Sequence, residues 1–342
     1  MADQQTTEAD IKAALEGFKD PETGRSALRT DQIRDISIDN NALNVTFALT
    51  THSAPIWAQS RQKLQEELAK RFPNFASVRV NAAIHERAPK AIGEVGLSAK
   101  SVIAVGSGKG GVGKSTVATN IALGLQRAGC AVGLMDADMY GPSIPHLLGI
   151  DEKPQVVEEK IKPIEVDGLS VLSMGLLVGR SDPIIWRGPM LHGAITQFLR
   201  DAHWGQLDYL IIDMPPGTGD VALTLSQLLP LSGAVIVCTP QDVALLDAIK
   251  AIAMFRKIDV PVLGMVENMS GFACPECNSH FDIFGVGGAK QEAEELEVPF
   301  LGAIPINIDI RLRGDNGKTS SNFEDPIIAE TFGKITQLLV QN

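Results

Sequence analysis

Apolar positions recur in two different rhythms along the chain, and the change of rhythm divides it. Between residues 7 and 84 the repeats are short and mixed. Ile11, Ala14, Leu15 and Phe18 fall on one helical face. Asp20-Pro21-Glu22-Thr23-Gly24 ends that helix. Ile36-Ser37-Ile38 and the run Leu43–Leu49 flank Asp39-Asn40-Asn41-Ala42, a pattern that predicts a hairpin. Ser53 is placed to cap a second helix, with Pro55 in its first turn and Ile56, Leu64, Leu68 and Phe72 along it. Val78-Arg79-Val80 predicts a closing strand. The order α-β-β-α-β predicts a small α+β domain over 7–84. Residues 85–100, beginning His85-Glu86-Arg87-Ala88-Pro89-Lys90, follow no period and read as a linker.

From 101 to 342 the apolar runs become continuous: 102–105, 131–135, 209–213, 234–238, 262–266 and 300–304. Strands without polar alternation are buried on both faces, as in a parallel sheet. Helices at about 114–128, 242–257 and 324–340 would cover it. Gly129 would close the first of these and Asp242 would cap the second. The reading is a doubly wound α/β domain with its ligands at the carboxyl ends of the strands.

Composition narrows the function classes. A length of 342 residues accommodates both domains, and 44% apolar with 21% charged residues is ordinary for a soluble protein. The net charge of −11 argues against nucleic acid or an anionic membrane as partner. No apolar run is long enough to span a bilayer. The polar, acidic start Met1-Ala2-Asp3-Gln4-Gln5 does not read as a signal peptide, so the cytoplasm is the expected location.

The sharpest chemical signal follows the run 102–105. Residues 108–116 read Gly-Lys-Gly-Gly-Val-Gly-Lys-Ser-Thr, matching G-x-x-x-x-G-K-[ST] at Gly108, Gly113, Lys114 and Ser115. Glycines at Gly108, Gly110, Gly111 and Gly113, with Val112, let backbone N–H groups turn toward a polyphosphate. Lys114 is expected on the β- and γ-phosphates of ATP, and Ser115 on Mg²⁺. Asp136-Ala137-Asp138 closes the second strand of this domain, where Asp138 is expected to activate water and Asp136 to support it. Tyr209-Leu210-Ile211-Ile212-Asp213 supplies a second carboxylate for the Mg²⁺ shell. Met214-Pro215-Pro216-Gly217-Thr218-Gly219-Asp220 then forms a stiff turn suited to switching. Asn268, after Glu267, is a candidate reader of the adenine edge.

Cys274-Pro275-Glu276-Cys277 lies in a later loop, and thiolates at that spacing can grip one metal or one edge of a cluster. A cytosolic chain with four cysteines suggests metal or redox chemistry before disulfides. Cys130 and Cys238 fall in or beside strands and are expected to be buried, so one chain offers two ligands where a site wants four. Two pairs meeting in a C2 dimer would complete the set. His280 is either a third ligand or a surface histidine.

These motifs together resemble the Mrp (ApbC-type) iron–sulfur cluster carrier ATPases, of the class that includes nitrogenase iron protein, MinD and ParA. The match rests on Gly108–Thr116, Asp136–Ser143, Trp186-Arg187-Gly188-Pro189-Met190, Asp213–Asp220, Val266-Glu267-Asn268-Met269 and the cysteine pair. Residues 7–84 resemble the MIP18-like (DUF59) domain through Asp20-Pro21-Glu22 and Leu49–Pro55, although many relatives carry cysteine where Ala54 stands. The resemblance implies a homodimer in which Lys109 reaches the ATP of the other subunit, as an arginine finger does. Lys114, Ser115 and Thr116 would hold phosphate and Mg²⁺. Cys274 and Cys277 of two subunits would bridge one 4Fe–4S cluster, received from an assembly scaffold and passed to apo iron–sulfur proteins. Two alternatives stand beside it: a zinc-stapled dimeric regulatory ATPase, and a MinD- or ParA-like positioning ATPase. The latter would want a basic amphipathic C-terminus, whereas Glu330–Val340 holds a single lysine.

Overall fold

A computed structural model describes residues 6–139, 141–176, 188–217 and 219–342. The chain separates into two compact units, residues 1–88 and 89–340. The first contains α1 (Glu8–Leu15), β1 (Ile33–Asp39), β2 (Ala42–Leu49), α2 (Trp57–Arg71) and β3 (Ser77–Ile84). Asn40 and Asn41 both take positive φ, 48° and 62°, which closes the β1–β2 hairpin with the twist its strands need. β3 joins β2 in parallel, giving the order β1-β2-β3. Leu64 and Leu68 of α2 meet Ile11, Leu15, Val45 and Phe47 in a core of its own. Phe18 lies beyond α1 and stacks edge-on against Phe47, with ring centroids 5.5 Å apart.

Ser53 does not cap α2. Thr51–Ile56 winds as a 3₁₀ turn that contains Pro55, and α2 starts at Trp57 with no side-chain cap. Proline fixes φ at a value the tighter turn also uses, so the chain enters α2 through that turn. A polar network fastens the other end. Arg87 bridges Asp20 at 3.0 Å and Glu22 at 3.2 Å, and Asp20 also accepts from Thr23 at 2.6 Å and Gln32 at 3.1 Å. Burial alone would raise the Asp20 carboxyl; the bonds from Thr23, Gln32, the Glu22 N–H and Arg87 hold it below its ordinary value.

The second unit contains β4 (Ala91–Ile92), β5 (Leu97–Gly106), α3 (Lys114–Arg127), β6 (Val132–Asp136), α4 (Ile144–Leu148), β7 (Gln155–Val157), β8 (Lys160–Lys162), β9 (Ile164–Val166), β10 (Leu169–Ser173) and α5 (Gly188–Asp201). It continues with β11 (Leu207–Asp213), α6 (Gly219–Leu228), β12 (Gly233–Cys238), α7 (Asp242–Lys257), β13 (Val262–Ala273), β14 (His280–Phe281), α8 (Gly288–Glu295), β15 (Phe300–Ile306), α9 (Ile308–Asp315) and α10 (Pro326–Gln341). The stretch 85–100 thus carries β4 and the first residues of β5. The central order is β14-β13-β12-β5-β11-β6-β10-β9, with β15 beside β13. Its middle pairs are parallel. β11 and β12 are buried at every position, as continuous apolar runs require. α7 begins at Asp242, but Gln241 is its cap. Among the described residues no helix is long and apolar enough to cross a membrane.

Candidate functional site

β5 sits between β11 and β12, so the loop that leaves its carboxyl end enters the centre of the sheet. Gly113 takes φ 80° as the N-cap of α3, and a Cβ there would stand 2.1 Å from Asn268 Nδ2. A Cβ on Gly108 would meet the Asp247 carbonyl of α7 at 2.1 Å. Only glycine permits either approach. Ser107 Oγ donates to the Lys109 carbonyl at 2.9 Å, and the Gly217 N–H donates to the Ser107 carbonyl at 3.1 Å. The turn after β11 is thereby tied to the loop. Val112 is buried, and its carbonyl accepts Asn268 Nδ2 at 2.9 Å. Lys109, Gly110, Gly111, Lys114, Ser115, Thr116 and Asp138 share a cleft of about 550 Å³ with His146. The start of α3 faces this cleft with backbone N–H groups and its positive dipole end.

Parallel register carries the carboxylates here. Asp213 pairs with Asp136 across β11 and β6, at the strand ends beside the loop. Lys114 Nζ donates to Asp213 Oδ1 and lies 3.3 Å from Ser115 Oγ. Burial raises the Asp213 carboxyl above its ordinary value, and the Lys114 ammonium pulls it back. Asp136 is wholly buried and accepts from the Asp138 N–H at 3.0 Å, Ser173 Oγ at 3.1 Å and the Ile144 N–H at 3.3 Å. Burial, then the charge of Asp213, pushes it up to about 7. Asp138 accepts the Gly141 N–H at 3.1 Å. Asp213 Oδ2 is buried without a hydrogen-bond partner. That bare carboxylate oxygen and the Ser115 hydroxyl are the hard donors a Mg²⁺ ion accepts, so the residues fit the ion.

The cysteine pair sits at the tip of a hairpin. β13 pairs with β14 at Phe272 and Phe281 and at Ala273 and His280. The Cys274 N–H donates to the Ser279 carbonyl, and the Asn278 N–H to the Cys274 carbonyl, both at 2.9 Å. Cys274 is half-buried and Cys277 exposed. Hydrogen bonding to the Ser279 side chain, then to its backbone, lowers the Cys277 thiol below its ordinary value. Phe281, Ile283 and Val286 expose apolar side chains on the same excursion. Cys130 and Cys238 are buried, and burial, with Glu267 and Glu292, pushes Cys238 up to about 12. Among the described residues no three His, Cys, Asp or Glu side chains gather as a metal site; His280 lies on β14, paired with Ala273.

The structure thus gathers Lys109, Lys114, Ser115, Thr116, Asp138 and Asp213, and places Asn268 against the loop backbone. Tyr140, Trp186, Arg187 and Thr218 lie outside the described residues. Two residues beside the site have partners that the sequence reading did not foresee. Ser173, from β10, donates to Asp136. Glu267, wholly buried, accepts from Ser270 Oγ at 2.5 Å and from the N–H groups of Gly287 at 2.8 Å and Ala289 at 2.7 Å. An acidic residue within the apolar strand Val262–Val266 and its continuation was the available signal.

Comparison with known proteins gives consistent matches. The family described as NUBPL iron-transfer P-loop NTPase matches residues 98–340, and the family described as iron–sulfur cluster assembly protein matches residues 8–82. An iron–sulfur cluster carrier protein of Synechocystis sp. is 44% identical, covering 91% of this chain and 90% of its own. An iron–sulfur cluster transfer protein NUBPL of Dictyostelium discoideum is 46% identical, covering 78% and 84%. A solved nucleotide-binding protein from Archaeoglobus fulgidus, in complex with ADP, is 40% identical with a TM-score of 0.60, covering 69% of this chain and 93% of that one. The cell division ATPase MinD of Pyrococcus furiosus, at 24% identity and TM-score 0.52 over 70% and 97%, shares the fold.

Proposed function

The chain belongs to the NUBPL iron-transfer P-loop NTPase family, and from that premise we propose that it is an ATP-hydrolysing carrier that holds a labile 4Fe–4S cluster between two copies and delivers it to apo-proteins. The observation that carries the reading is the exposed hairpin tip bearing Cys274 and Cys277 in the same unit as the phosphate loop. A pair with no third ligand gathered beside it among the described residues is completed by the same pair in a second copy. A cluster held by two thiolates from each side is cargo that an acceptor's cysteines can displace.

The loop amides from Gly108 to Gly113 and the start of α3 grip the β- and γ-phosphates of ATP. The second cavity, about 330 Å³ and bordered by Thr116, Asn268, Met269 and Pro305, has room for the base. Lys114 exchanges part of its bond with Asp213 for a phosphate oxygen. Mg²⁺, when bound through Ser115 and Asp213, neutralises phosphate charge. Asp138, braced by Asp136 and the Gly141 N–H, orients the attacking water. Lys109 from the second copy meets the charge that develops on the transferred phosphoryl group. Nucleotide state then sets how closely the two cysteine pairs approach.

Anaerobic reconstitution with iron and sulfide tests the reading. The expected result is about four irons per dimer and thiolate-to-iron absorption, both lost in Cys274→Ala. Zinc retained in place of iron would make the cysteines a structural staple. Transfer to an apo-acceptor that ignores ATP would remove the coupling.

A further inference from the structure

We propose that Glu267 and Asn268 are positioning residues that pass nucleotide occupancy from the phosphate loop to the Cys274–Cys277 hairpin within one chain, an inference that rests on the carrier reading of those cysteines. The two residues are adjacent on β13 and face opposite tasks. Asn268 Nδ2 donates to the carbonyl of Val112, inside the phosphate loop. Glu267 gathers both ends of the excursion that carries the cysteines: Ser270 where it departs, Gly287 and Ala289 where it returns as α8. The Gly287 and Ala289 amides are among the orphan donors of the α8 start, so the carboxylate caps that helix as well.

β13 changes character between these anchors and the hairpin. Its register with β15 holds from Val266 and Gly302 to Asn268 and Ile304, then resumes at Phe272 and Ile306. Residues 269–271 form a bulge, with Met269 at φ 59° and Gly271 at φ 70°. A non-glycine residue keeps a left-handed backbone where its surroundings hold it, and such residues gather at switching segments. The surroundings here are the Asn268 tie on one side and the Glu267 tie on the other. Beyond the bulge, Phe272 to Phe281 is a hairpin closed by strand pairing and by the backbone bonds between Cys274 and Ser279 and between Asn278 and Cys274.

A phosphate loop that tightens on nucleotide moves the Val112 carbonyl, and Asn268 follows it. Glu267, one residue away, cannot follow without lengthening a bond to Ser270, Gly287 or Ala289. A buried carboxylate tolerates poorly the loss of a donor, so the tie has two arrangements rather than a continuum. Each arrangement fixes a different pose of the hairpin base, and hence of the thiols. A second connection closes the ring: Gly108 abuts the Asp247 carbonyl of α7, and a Cβ on Gly288 would meet Leu245 of α7 at 2.7 Å.

The test reads thiol reactivity in the cluster-free protein, so it stands apart from cluster loading. Iodoacetamide modification of Cys274 and Cys277 is followed by peptide mass spectrometry with MgADP and with a non-hydrolysable MgATP analogue. Wild type is expected to differ at least threefold between the two nucleotides. Glu267→Gln keeps the size but turns an N–H₂ toward one of the amide donors. It is expected to bind both nucleotides within threefold of wild type while its thiol rates become equal. Ser270→Ala removes one leg and is expected to retain part of the response, which guards against a Glu267 variant that fails to fold. A purely structural Glu267 would lower thermal stability and shift both rates alike, leaving their ratio intact, and that outcome overturns the proposal. So does a wild type whose rates ignore nucleotide.

Discussion

Asp136 shows how much one side chain can be asked to do. Its two oxygens accept three donors from three elements, and it stands next to Asp213 in a dry strand end. A carboxyl pushed up to about 7 from 3.8 binds a proton in the folded chain over a range where the unfolded chain has lost it. Stability from this proton is therefore full below about pH 4 and is lost as pH rises toward 7. Removing the titrating group should cancel that loss. The stability difference between Asp136→Asn and wild type, read by urea unfolding, is expected to shift in favour of the variant between pH 5 and pH 7. The slope should be on the order of 1 kcal/mol per pH unit. A difference that stays flat over this range would place the proton elsewhere.

At the scale of elements, legibility followed the range of the interactions. β6, β11, β12 and the second half of β5 were readable because burial on both faces leaves an unbroken apolar run. β9, β10 and β14 were not foreseen, because strands of two to five residues are too short to show a period. The helix entries at Ser53 and Asp242 were misplaced by one turn or one residue, since a cap depends on backbone angles that several polar residues share. The phosphate loop was legible in full because it is local. The partners of Glu267 were not, because Gly287 and Ala289 enter by way of the whole cysteine excursion. The contact between the loop and α7 belongs to the same class. Gly108→Ala would drive a Cβ into the Asp247 carbonyl, which is backbone and cannot rotate away. The loop must shift, and nucleotide affinity measured by calorimetry is expected to fall at least tenfold, about 1.4 kcal/mol. Unchanged affinity would mean that α7 yields instead.

At the scale of the molecule, phosphate loop and cysteines share one unit, while residues 1–88 build a separate core. That smaller unit contains the Arg87 bridge to Asp20 and Glu22. The bridge is present above the ordinary carboxyl value of 3.8 and is lost as pH falls below it, because Asp20 lies lower in the folded chain. Arg87→Ala is expected to cost about 2 kcal/mol. Hydrogen exchange should speed up in β2 and β3 and stay unchanged in β11 and β12; a change spread over both units would contradict this separation. The bulge in β13 has a consequence of another kind. Four steps from Asn268 to Phe272 stand against two from Ile304 to Ile306, an excess of two. Strand faces alternate only where the backbone stays extended, and Met269 and Gly271 do not, so the surplus of two residues is slack rather than register. The ladder with β15 stops and resumes around it, so the hairpin beyond can be aimed without disturbing the strand that anchors it.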